Sequence, residues 1–204
     1  MIVRFGQGNG SKILYSPRVK TTRREMLYAS GIGLLSFALG DGHVLLSPRA
    51  ARAAGVKPRV LSAREEETLA ALGERLVPGS RESGVSLYVD QQLAVSLEDC
   101  MLMIQYLGVD PPFTPFYRTG LSAINAWAES RHGEKFSELS DTQAESLIDD
   151  LSNEKLEGWE GPPQGLFYFV VRNDACDVQY GTQEGFARLN VPYAAHIVPP
   201  SEWG

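Results

Sequence analysis

The sequence is poor in the residues from which most active sites are built. It has two cysteines, Cys100 and Cys176, and three histidines, His43, His132 and His196. Past residue 53 the only histidines are His132 and His196, which cannot build a zinc site alone, and no Cys/His cluster has metal-ligand spacing. There is no Cys-x-x-Cys-His stretch, which excludes a covalently attached c-type haem. The Gly-x-Gly-x-x-Gly turn of a dinucleotide fold is missing, and so is the Gly-x-Ser-x-Gly turn of a nucleophilic serine. No apolar run reaches the roughly 20 residues of a membrane-spanning helix. Past residue 53 basic residues are scarce as well: 11 Lys/Arg stand against 23 Asp/Glu, a net −12. Such a body repels phosphate backbones and disfavours nucleic-acid binding.

What is present is sharply asymmetric. Residues 1–53 carry eight Lys/Arg against two acids, and a charge split of this kind points to segments with different jobs. Within them Thr22-Arg23-Arg24-Glu25-Met26-Leu27 precedes an apolar stretch, Ala29–Leu39, diluted by Ser30, Gly31, Gly33 and Ser36. Ala51-Arg52-Ala53 follows with small residues at its ends. Basic region, short apolar region and small-residue site, in that order, are the parts of an export leader. The paired Arg23 and Arg24 resemble the twin-arginine pattern, with Met26 and Tyr28 as departures from it. A cleavable leader over 1–53, cut after Ala53, is the reading, with a retained anchor as the alternative. The expected location is the periplasm. An even cysteine count in an exported chain permits one disulfide, within the chain or to a partner; otherwise Cys100 and Cys176 are buried free thiols.

Residues 54–204 read as an all-α domain: a compact helical bundle with an extended, Pro-rich C-terminal arm over about 180–204. Ser62-Ala63-Arg64-Glu65 is a capping box, and Leu69, Leu72 and Leu76 follow at helical spacing, which predicts a helix over 62–77. Glu65-Glu66-Glu67 falls in its first turn, where the helix dipole favours negative charge. Residues 85–107 read as one or two helices broken near Ser96–Asp99, with Met101 and Met103 as core filler. A helix is predicted over 113–131, another after the capping box Ser140–Gln143, and a last one over 164–179. Prolines 192, 199 and 200 forbid a regular helix in the arm. Its aromatics Phe186, Tyr193 and Trp203 need a surface to pack on. The acid pair Asp149-Asp150 reads as a solvated helix face, and His196 as a hydrogen-bonded structural or interface histidine. No catalytic residue and no metal site is assigned to this chain.

The order Phe167-Tyr168-Phe169-Val170-Val171-Arg172-Asn173-Asp174-Ala175, then Tyr180-Gly181-Thr182, then Gly185-Phe186-Ala187-Arg188-Leu189-Asn190-Val191-Pro192-Tyr193, with His196 and Pro199-Pro200 behind, resembles the gluconate 2-dehydrogenase subunit 3 (gamma, or small subunit) family. The leader and the Leu61-Ser62-Ala63 helix opening fit it too. The resemblance implies a non-catalytic subunit that accompanies a large FAD-containing dehydrogenase subunit of the glucose-methanol-choline type. It also implies a multi-haem cytochrome c subunit that anchors the complex to the membrane, and passage through the twin-arginine translocase. Gluconate, ketogluconate, glucose, sorbitol and other polyols are the substrate class, chosen by the flavin subunit. The implied partner interface is Tyr180, Gly181, Gly185, Phe186, Tyr193, His196 and Trp203. Cys100 or Cys176 would tie the chain to the large subunit. Two other readings compete: a stand-alone periplasmic binding module with a pocket lined by Trp127, Tyr168 and Phe169, and an enzyme with a site around His196 and Glu202.

Overall fold

The computed structural model describes residues 34–39 and 42–191. A two-stranded antiparallel hairpin opens it, β1 (Leu35–Leu39) paired with β2 (Gly42–Leu46), Leu35 opposite Leu46. Helices follow: α1 (Pro48–Ala53), α2 (Ala63–Leu76), α3 (Ser80–Ser83), α4 (Val85–Leu93), α5 (Thr114–His132), α6 (Asp141–Ser152), α7 (Gln164–Tyr180) and α8 (Gln183–Arg188). Single 3-10 turns at Leu97–Asp99, Met103–Tyr106 and Phe136–Glu138 shape the connections.

Two helices form the centre. In α4 nearly every residue from Val85 to Asp90 is buried, and in α7 Phe167, Val170, Val171, Ala175 and Val178 are. The continuous apolar run at the start of α7 is therefore a helix enclosed on most sides. Helices α2, α5 and α6 pack around this pair, each with one apolar stripe turned inward: Leu69 and Leu72 from α2, Tyr117, Leu121 and Ile124 from α5, Leu147 and Leu151 from α6. Gly120 lets α5 approach α7; a Cβ there would overlap the Phe167 ring.

Helix starts follow the sequence signals. The Ser62 hydroxyl accepts from the Glu65 amide (3.3 Å), and the Glu65 carboxylate accepts from the Ser62 amide (2.7 Å). Ser140 and Gln143 exchange the same two bonds at α6. The next two glutamates of α2 serve tertiary contacts. Glu66 accepts from Ser86 (2.8 Å), and Glu67 pairs with Arg81.

Buried polar side chains join elements distant in sequence. The Asp90 carboxylate, on α4, accepts from the backbone amides of Arg59, Val60 and Leu61, each at 2.8 Å, and so fixes the segment entering α2. On α5, Asn125 donates to Thr68 of α2 (2.8 Å) and accepts from the Phe136 amide (3.1 Å). That seats the Phe136 ring in the core.

One feature differs from expectation and two others bear on the leader reading. Leu35–Leu39, the end of the apolar stretch Ala29–Leu39, is a strand whose alternation buries Leu35 and Phe37 and turns Ser36 outward. The predicted boundary after Ala53 falls at the end of α1, a helix packed on the body. Residues 183–188, placed at the start of the extended arm, are helical. The Thr182 hydroxyl caps them by accepting from the Gly185 amide (3.1 Å), and the first proline comes only at 192. The Pro-rich part of the arm from Pro192 onward, like residues 1–33, lies outside the described residues.

Candidate partner interface

The connection from α4 to α5 carries an exposed apolar surface. Leu102 and Ile104 are fully buried and anchor it to the core. The Gln92 side-chain carbonyl on α4 accepts from the Met101 amide (2.6 Å), and the Gln105 amide group donates to the Cys100 carbonyl (2.7 Å). Backbone near extended geometry at Cys100 and Leu102 alternates the side chains. Met101 therefore points outward, 46% exposed, instead of filling the core as its residue type suggested. Leu97 (49%) and Tyr106 (75%) are also exposed on this connection.

Beside it lies a groove of about 300 Å³. Cys100 and Phe113 are its buried wall; Leu97, Pro111 and Pro112 are its exposed rim, with Leu93 and Val95 between. The chain segment that lines it carries charge of one sign. Between Arg81 and Arg118 the chain has no Lys, Arg or His, and Glu98, Asp99 and Asp110 are exposed near the rim.

A second polar constellation lies in the core. The Tyr117 hydroxyl donates to one Asp174 carboxyl oxygen (2.7 Å), while the other oxygen has no partner. Both residues are fully buried. Burial pushes the Asp174 carboxyl up to about 8, against the opposing effect of the Tyr117 hydrogen bond. It is a neutral acid at pH 7. Burial and the neighbouring Asp174 also push the Tyr117 and Tyr88 hydroxyls upward. This pair locks α5 to α7 and has no route to solvent-borne substrate. It was visible in the sequence only as a polar residue on the Phe167–Val171–Val178 stripe.

The residues singled out from the sequence are not brought together as one site. Tyr180 is half-buried against the core at the end of α7. At Gly181 and Gly185 a Cβ would come within 2.6 Å of the α7 backbone, so these glycines serve the close turn of α8 onto α7. Phe186 is partly buried beside them. Tyr193, His196, Trp203 and Glu202 lie outside the described residues, as do Arg23 and Arg24. Cys100 and Cys176 are both free, so no bond joins them within the chain; Cys100 is buried and Cys176 partly exposed. Burial raises both thiols, offset at Cys176 by the charge of Arg172. Trp127 is engaged by Arg131, 5.2 Å from its ring centroid, and by His132 of its own helix. Phe169 faces outward at 47% exposure. Among the described residues no group of three His, Cys, Asp or Glu could hold a metal ion, and no helix is long and apolar enough to cross a membrane.

A sequence model of the family described as gluconate 2-dehydrogenase subunit 3 matches residues 63–196. The chain belongs to this family. The match opens at the first residue of α2 and runs through the whole bundle. Searches of curated proteins and of solved structures found no match. Membership makes the chain a subunit of a dehydrogenase complex.

Proposed function

We propose that this chain is the non-catalytic small subunit of a periplasmic, membrane-associated, FAD-dependent dehydrogenase of the glucose-methanol-choline type, acting on a sugar acid or polyol. It supports the folding of the flavin subunit and its export by the twin-arginine route. The observation that carries this reading is the acidic-rimmed apolar groove on the α4–α5 connection. Leu97 and Met101 are held out in water by a connection that Gln92, Leu102 and Ile104 make rigid. Apolar side chains presented on a fixed support are the usual core of a protein interface. In this reading the flavin belongs to the large subunit. A cytochrome c subunit completes electron transfer to the membrane. Of the two thiols, Cys176 is the one with surface access, and it is the candidate for a bond to the large subunit.

The test is an affinity pull-down of the full-length chain from its native cell, with an absorption spectrum of the eluate. A co-purifying large protein with flavin absorbance supports the subunit reading, and haem bands would add the cytochrome. A colourless single chain in good yield would favour an independent binding module instead.

A further inference from the structure

The segment before the bundle, residues 35–56, lies outside the stretch that matches the family, yet it is fastened to the body at several points. Leu35 (8% exposed) and Phe37 (4%) enter the core from β1, which packs on α4. Helix α1 is capped by Ser47, whose hydroxyl accepts from the Ala50 amide (3.2 Å). Arg49 of α1 pairs with Glu82 (2.6 Å) and donates to Ser83 (3.1 Å), both on α3; Arg52 pairs with Glu66 of α2 (3.7 Å). Pro48 rests on Gly84, at the joint between α3 and α4. That glycine has φ +86°, and a Cβ on it would overlap the Pro48 carbonyl. Val56 closes the segment as a buried side chain.

Ala51-Arg52-Ala53 sits inside this arrangement. A peptidase that recognises two small residues two positions apart must read both on the same side, which an extended chain offers and a helix does not. In α1 the two alanines point apart: Ala51 is fully buried against the body while Ala53 is exposed. Cutting after Ala53 therefore requires α1 to leave the body and unwind, with loss of the Arg49 and Arg52 pairs. It would also strip Leu35 and Phe37 from the core.

We infer that residues 35–56 are a retained clamp of the folded protein, and that their docking withholds Ala51–Ala53 from signal peptidase. The exported chain keeps this segment, and any processing falls N-terminal to Leu35. The inference rests on the export reading above.

The test uses the full-length chain, incubated with bacterial signal peptidase in detergent, with the N-terminus read by intact mass. The unaltered protein should keep residues 35–56. Gly84→Val, which places a side chain where the Pro48 carbonyl lies, should be cut after Ala53 at least about ten times faster, since cutting follows the undocked population. Glu82→Lys, on the exposed side of the Arg49 pair, is a second loosened form that leaves the core untouched if Gly84→Val does not fold. Cutting of the unaltered chain after Ala53 as fast as of these variants would overturn the inference. No cutting in any of the three would overturn docking as the cause. Fractionation of the native cell reads export separately: a chain confined to the cytoplasm refutes the export reading, whereas a periplasmic chain beginning at Ala54 refutes the clamp.

Discussion

Replacing Asp174 by Asn should flatten the pH dependence of stability. In the folded protein burial holds this carboxyl at about 8, against its ordinary value of 3.8. The folded state thus binds the proton more tightly than the unfolded chain, and stability falls as pH rises between those two values. The contribution is complete below about pH 4 and is lost as pH climbs through 8. Each pH unit in that window costs about 1.4 kcal/mol, so the step from pH 5 to pH 7 removes about 2.7 kcal/mol. Asn offers Tyr117 the same acceptor and puts an amide where the protonated oxygen was, with no charge to desolvate. Urea denaturation of both proteins from pH 5 to 8 gives the comparison. The Asp177 carboxyl is also raised by burial, but it is present in both proteins and cancels in the difference. Relative to the unaltered protein, the variant's stability should rise by about 2.7 kcal/mol between pH 5 and pH 7, whatever constant offset the buried amide adds at the unpartnered oxygen. Parallel pH profiles would refute the assignment of a buried, neutral Asp174.

Other perturbations address the packing and the interface. Gly120→Ala drives a methyl into the Phe167 ring, so the denaturation midpoint should drop by the equivalent of about 1–3 kcal/mol. Asp90→Ala leaves the amides of Arg59, Val60 and Leu61 without their acceptor; a loss of about 3 kcal/mol should follow in the same assay. Leu97→Asp, at a half-exposed position, should leave the denaturation midpoint of the chain alone within about 0.5 kcal/mol. It should, however, strongly reduce recovery of the large subunit in the pull-down. Cys176→Ser should abolish any disulfide-linked heterodimer on a non-reducing gel, whereas Cys100→Ser should not, because Cys100 is buried within its own chain.

The helical body was legible because its signals are local. The capping boxes at Ser62 and Ser140 fix two helix starts within their own first turns, and the three-to-four spacing of Phe116, Tyr117, Leu121 and Ile124 marks α5 almost to its ends. The break expected near Ser96–Asp99 is a 3-10 turn. The features that were not legible depend on partners remote in sequence. Asp90 finds its three amides about thirty residues upstream, and Tyr117 meets Asp174 only after two helices have packed. Met101 is outside because Cys100 and Leu102 take the inward positions on either side of it, a choice of register that residue type does not reveal. The hairpin was hidden for another reason. Leu35-Ser36-Phe37-Ala38-Leu39 satisfies both descriptions, an apolar leader core and an alternating strand, and composition alone favours the first.

One helix links the two surfaces on which the functional reading depends. Helix α4 meets the clamp at its beginning, through the Gly84–Pro48 contact and β1, and borders the groove at its end, through Gln92 and Leu93. Between them Asp90 ties down the bent segment that leads into α2. Almost every side chain of α4 is buried, so the helix cannot shift without disturbing both ends. A subunit seated in the groove stabilises the conformation in which the Gln92–Met101 bond is made, and any ligand that prefers the native form adds its binding free energy to that form. The clamp shares that benefit because it rests on the same helix. On the proposed reading, a partner's contact at one end of α4 would reinforce, at the other, the segment that precedes the bundle.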